Sequence, residues 1–243
     1  GGRALEPEAR AKYLNSPETP LFHKSDVLYN YSAARADAAK SGAPLLVCEG
    51  YMDVIALWGA GFRTAVAPLG TALTEAQLAL LWRQSDEPVL CFDGDKAGLA
   101  AAHRAIDRAL PLLKPGKSLR FVFLPDGQDP DDLVRSAGAG AFAALLDKPE
   151  SLADVLWTRE TLARPLDTPE RRAALRAHLR SLVRGIADKD VRNAYGADMA
   201  GRLQAMAAPQ PRHGERGAPL RGPNPYRKGG AEPVRASATD QPG

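Results

Sequence analysis

The chain has 243 residues, 44% of them hydrophobic, which is long and apolar enough for a real core and excludes a small peptide scaffold. No run approaches the roughly 18 apolar residues of a membrane helix, and the opening GGRALEPEAR lacks the apolar stretch of a signal peptide, so the expected partners include no membrane and the expected location is the cytoplasm. Residues 206–243 hold six Lys or Arg against three acids and carry the whole net charge of +3, while the rest balances at 26 against 26, so any attraction to polyanions must come from local charge placement.

In chain order, GGR leads straight into folded-looking sequence, which reads as the start of a fragment. Short apolar runs follow at LLVC (45–48), TAVA (64–67), VLCF (89–92) and RFVFL (120–124), each succeeded by a helical pattern. Continuous rather than alternating apolarity suits strands buried on both faces, hence a parallel α/β sheet flanked by helices. Cys48 and Cys91 fall inside these runs, with no further cysteine or histidine at ligand spacing; reduced core residues and no zinc are expected. Thr74 and Gln77 have capping-box spacing at the helix after the second strand. After the third strand, Leu99, Ala102, Ile106, Leu110 and Leu113 recur at helical spacing and should face the sheet. From about residue 150 the patterns are helical only, broken at RPLDTPE (164–170) and GIADKD (185–190), which predicts a small helical subdomain. Seven prolines and six glycines in 207–243, with few large apolar residues, predict a disordered linker.

Acidic residues gather where strands should end: Glu49 in CEG, Asp53 four residues on, Asp93 and Asp95 in DGD, and Asp129 and Asp131 in DPDD. Ligands of open parallel sheets bind outside the carboxyl ends of strands, where strand order reverses. With the order 2-1-3-4, Glu49 and Asp93 become neighbours there. Asp93 and Asp95 are two apart, so in extended backbone they point to one side, and Gly94 between them permits a turn. Crowded carboxylates resolve their repulsion by a raised pKa or a bound cation, and hard oxygen donors suit Mg²⁺ or Mn²⁺ with substrate phosphates. Phosphoryl transfer is the matching chemistry. Blander readings stand beside this one. Asp129 before Pro130 fits a helix N-cap, Asp131 and Asp53 fit first-turn positions favoured by the helix dipole, and Lys96 fits either a surface lysine or a phosphate contact.

VCEGYMDV, VLCFDGDKAG about forty residues later, and FLPDGQDPDDLV after that together resemble the Toprim catalytic core of bacterial DnaG-type primases. AKYLNSPETPLFHKSDVLYN (11–30) resembles the segment leading into that core. The resemblance implies that Glu49, Asp93 and Asp95 are catalytic and hold Mg²⁺, with Mn²⁺ able to substitute, that Asp129 and Asp131 join as metal ligands, and that Asp53 supports the acidic cluster. It implies that Lys12, Asn15 and Lys24, with Lys96, meet nucleotide or template; read from the residues alone, the first three are surface positions. Its implied partners are a single-stranded DNA template, ribonucleoside triphosphates and the RNA–DNA hybrid product, with the replicative helicase reached through a C-terminal module absent here. The family's zinc-binding module and most of its basic N-terminal half are likewise absent, so the isolated chain is expected to grip template poorly.

The expected organisation is the end of an N-terminal polymerase subdomain at 1–42, a Toprim domain at 43–148, the helical subdomain at 149–206 and the linker at 207–243. The competing readings are another Toprim phosphoryl-transfer enzyme, nuclease or topoisomerase-like, and a non-catalytic binding protein on the same fold. No tyrosine sits in an evident gate domain, as a topoisomerase nucleophile would, and no acidic position of the motifs is missing, as it would be in a binding protein.

Overall fold

The computed structural model describes residue 19, residues 22–70 and 72–206 in full, and the backbone alone of 2–3, 13–14 and 207. Lys12, Asn15 and, past residue 207, the expected linker lie outside the described residues. Strands β1 (Gly2–Arg3) and β2 (Tyr13–Leu14) pair antiparallel.

The four apolar runs become β3 (Leu46–Val47), β4 (Ala65–Val66), β5 (Val89–Gly94) and β6 (Arg120–Asp126). They lie parallel in the order β4-β3-β5-β6, the 2-1-3-4 arrangement expected from the sequence. A fifth strand, β7 (Glu150–Ser151), adds antiparallel to β6, so the sheet is mixed rather than purely parallel. Two polar residues pairing through backbone alone give no apolar run by which to foresee them.

The helices are α1 (Tyr31–Ser41), α2 (Tyr51–Gly59), α3 (Glu75–Gln84), α4 (Lys96–Ala109), α5 (Pro130–Ala137), α6 (Ala139–Leu146), α7 (Leu152–Leu162), α8 (Pro169–Arg184) and α9 (Lys189–Ala207). Successive strand residues point to opposite faces, and both faces are covered. Leu46, Cys48, Ala65, Val89, Cys91 and Val122 pack with Val54 and Leu57 of α2, Leu133 of α5 and Phe142 of α6. Val47, Val66, Leu90, Phe92 and Phe121 pack with side chains of α1, α3 and α4, and with Leu152 and Leu156 of α7 and Leu175 and Leu179 of α8. Burial on both faces is why the strands read as continuous apolar runs. Both cysteines are buried and reduced, as expected.

Thr74 caps α3 as its spacing predicted: its hydroxyl accepts the Gln77 N–H while the Gln77 side chain accepts the Thr74 N–H at 2.9 Å. The Gln77 amide also donates to the carbonyls of Lys24 and Val27, and Asn30 donates to the Ala65 carbonyl, stitching the lead-in to α3 and β4. The stripe expected on α4 needs correction. Leu99 is 46% exposed, whereas Ala102, Ile106, Leu110 and Leu113 are buried in the core as expected, joined by Ala105 and Ala109, with Leu110 opening a 3₁₀ turn at Leu110–Leu112. Leu99 stands in the first turn of α4.

Gly94 is also glycine for a different reason from the one expected. Its φ is not left-handed; instead the β5–β6 register shifts between Phe92 and Gly94, and a Cβ there would penetrate the Pro125 carbonyl. Gly94→Ala should therefore destabilise the fold by about 1–3 kcal/mol, the usual cost of overpacking. Gly140→Ala in α6, where a Cβ meets nothing within 4 Å, should raise stability by about 0.4–1 kcal/mol. Urea melts of both variants check the pair, and equal midpoints would contradict the close-approach account.

Candidate functional site

β3 and β5 are adjacent parallel strands whose following helices leave to opposite faces, α2 on the side of Cys48 and Cys91 and α4 on the side of Phe92. The crevice at their carboxyl ends is the place where such a sheet binds ligand. Glu49 follows β3 directly after Cys48, and Asp93 is the last side chain of β5 before Gly94. The two meet: Glu49 Oε1 accepts the backbone N–H of Asp93 at 3.2 Å. A Cβ at Gly98 would overlap the Asp93 backbone, so α4 starts in direct contact with the end of β5.

The other acidic residues split between this crevice and helix capping. Asp95 is the N-cap of α4, with Oδ1 accepting the Gly98 N–H at 2.7 Å. Asp129 is the N-cap of α5, accepting the Asp132 N–H at 2.7 Å, with Pro130 at the first helical position. Asp131 pairs with Arg135 at 3.3 Å along the same helix. Asp53 is buried in the first turn of α2 and accepts the Gly50 N–H at 3.0 Å. The capping readings are thus correct as local structure, and Asp53, Asp95, Asp129 and Asp131 still act electrostatically on the crevice.

Asp93 has a pKa pushed up to about 7, first by loss of solvent and then by repulsion from Glu49, Asp53, Asp129 and Asp95. Asp53 is raised to about 6 by burial, against the pull of the Gly50 N–H, with Asp129, Glu49 and Asp131 adding repulsion. Glu49 is raised by desolvation, opposed by the Asp93 N–H and by Arg104. Burial and these carboxylates also raise the Cys48 and Cys91 thiols, which keeps them protonated. Asp93 Oδ1 is buried with no hydrogen-bond partner among the described residues. A buried polar oxygen without a partner is costly, and a carboxylate oxygen in that state suits a cation.

Lys24 and Lys96 have no ion-pair partner among the described residues, which leaves both ammonium groups available to an anion. One cation near the crevice was not foreseen. Arg104 of α4 lines a cavity of about 250 Å³ together with Glu49, Pro68, Gly70, Leu73 and Phe92. Its sequence signal is a long cation in register with Ala101 and Ala105, where a sheet-packed helix would otherwise carry small residues.

Desolvation, with the repulsion added to it, makes stability depend on pH. The folded pKa of Asp93, about 7, lies above an unfolded value near 4, so this group's stabilisation is complete below about pH 4 and is lost as pH rises through 7. In metal-free buffer the thermal midpoint of Asp93→Asn should therefore exceed that of the parent by more at pH 8 than at pH 5. A gap that does not change with pH would contradict the crowding.

The model of the Toprim domain matches residues 43–123, and that of the DNA primase catalytic core, N-terminal domain, matches residues 1–35. The DNA primase of Rickettsia felis is 46% identical over 195 residues, 80% of this chain and 32% of that protein. A DNA primase domain from Pseudomonas aeruginosa is 42% identical with a TM-score of 0.76, over 84% of this chain and 62% of that one. A DnaG primase catalytic domain solved bound to single-stranded DNA is 41% identical with a TM-score of 0.73, over 83% of this chain and 64% of that one. The chain spans about a third of the length of the curated relatives it matches. With both halves of the core matched in sequence and the described residues matched in fold, the chain belongs to the DnaG-type DNA primases and carries their Toprim catalytic core.

Proposed function

We propose that this chain is the catalytic core of an enzyme that joins ribonucleoside triphosphates into short RNA primers on single-stranded DNA. The observation that carries the reading is the partnerless, buried Oδ1 of Asp93, held beside Glu49 at the sheet's switch point. The donor set fits Mg²⁺, which takes hard oxygens and commonly uses one or two carboxylates plus substrate phosphates. No three acidic, histidine or cysteine side chains gather around one point among the described residues; Glu49 and Asp93 are the pair in direct contact.

Asp95 contributes the carboxylate oxygen that its cap to Gly98 leaves free, and Asp129 contributes likewise after its bond to Asp132. Asp131 and Asp53 deepen the negative field. A divalent ion bound there would lower the pKa of the attacking hydroxyl and neutralise charge on the departing pyrophosphate. The new bond joins the primer's terminal oxygen to the α-phosphorus as the bond to pyrophosphate breaks. Lys24, Lys96, Lys12 and Asn15 supply contacts to nucleotide and template, the lysines through phosphate attraction that needs no base sequence. The Lys24 backbone is anchored by the bond its carbonyl accepts from the Gln77 amide. A helicase contact through a further C-terminal module is part of the same reading and rests on family membership.

Incorporation of labelled ribonucleotides on single-stranded DNA with Mg²⁺, measured in the full-length polypeptide, tests the assignment. Asp93→Asn and Glu49→Gln should each lower the rate by about 10²–10³, the scale of losing one electrostatic stabiliser. Near-parental activity in Asp93→Asn would overturn it.

A further inference from the structure

Helix α8 carries two sets of arginines in different circumstances. Arg171 pairs with Asp167 at 2.6 Å, and Arg172 donates to the carbonyls of Leu166 and Asp167. Arg176, Arg180 and Arg184 are exposed and have no acidic partner among the described residues. They are four apart, so they form one row along the helix with a rise of about 6 Å between successive guanidinium-bearing positions. Like charges at that spacing repel and weaken a helix.

This row forms one wall of a groove of about 560 Å³ between α8 and α9. Gly196 of α9 faces Val183 of α8, where an added Cβ would make ordinary contact at 3.9 Å. Leu179, Val183, Met199 and Leu203 make the floor, Arg192 and Asn193 of α9 stand on the opposite wall, and no lining residue is acidic. Arg192 donates to the carbonyls of Ile186 and Ala187 in the connection between the two helices. Planar guanidinium groups suit phosphate oxygens, and they also stack on bases.

We propose that the α8–α9 groove binds a single-stranded nucleic acid, the arginine row tracking its phosphates and the apolar floor receiving its bases. This is a second contact, outside the carboxylate crevice. Like charge disfavours a second copy meeting the same face. The choice of nucleic acid as the polyanion rests on the template-directed function proposed above.

The test is fluorescence anisotropy of a labelled oligothymidylate with this chain in chelator, across a salt series, for the parent, Arg176→Ala/Arg180→Ala and Asp93→Asn. Alanine favours helix, so the double variant should keep its thermal midpoint. It should bind several-fold more weakly at low salt, with a slope of log affinity against log salt reduced by about 1.4, the loss of two phosphate contacts to a single strand. Asp93→Asn should keep the parental slope. The proposal falls if the double variant keeps the parental affinity and slope, if the parent binds no oligonucleotide, or if only a labelled oligoglutamate loses affinity. Its failure is separable from that of the primase reading: a parent that binds DNA through these arginines while the full-length protein incorporates no nucleotide would sink only the latter.

Discussion

Everything at the acidic crevice depends on one constraint, the burial of both faces of a parallel sheet. The helix after β3 must cover one face and the helix after β5 the other, so the two chains diverge where their strands end side by side. The crevice between them is the place where such a sheet binds ligand. Glu49 and Asp93 stand there because they are the first polar residues after Cys48 and Phe92, whose side chains complete the core. A change that moved either strand by one residue would turn a carboxylate into the core and a core side chain out.

The acidic residues around that opening serve two ends with the same atoms. Asp95 and Asp129 begin helices, Asp53 holds the first turn of α2, and each adds negative charge to the crevice. A carboxylate at a helix N-terminus is stabilised by the dipole and by free N–H groups, so the fold supports several acids near one another at little local cost. Asp93 lacks that support. It ends a strand, has one buried oxygen without a partner among the described residues, and has its pKa raised to about 7 first by desolvation and then by repulsion from its neighbours, which makes it the strongest ligand candidate.

Strand order, the capping box at Thr74, the buried cysteines and the meeting of Glu49 with Asp93 were legible in the sequence, because each rests on a local signal or on apolar continuity. What was not legible depends on tertiary approach. β7 has two polar residues and exists only through its pairing with β6. Leu99 matches the helical period but is exposed in the first turn of α4. The need for Gly94 comes from the Pro125 carbonyl, thirty-one residues away, and no turn signal encodes that contact. Arg104 beside Glu49 and the unpaired row on α8 are common arginines in sequence; what distinguishes them is which neighbours the fold gives them and which it withholds.

The central claim is that the crevice stores carboxylate repulsion which a divalent cation relieves. Thermal midpoints of the parent and of Asp93→Asn, each measured in chelator and in millimolar Mg²⁺ at neutral pH, test it most directly. A ligand held only by the folded state stabilises by mass action, about 2.7 kcal/mol at a hundred times its Kd. The account predicts a clear rise for the parent and little or none for Asp93→Asn, which in chelator is already the more stable of the two. Equal rises in both proteins, or a variant less stable than the parent in chelator, would contradict it.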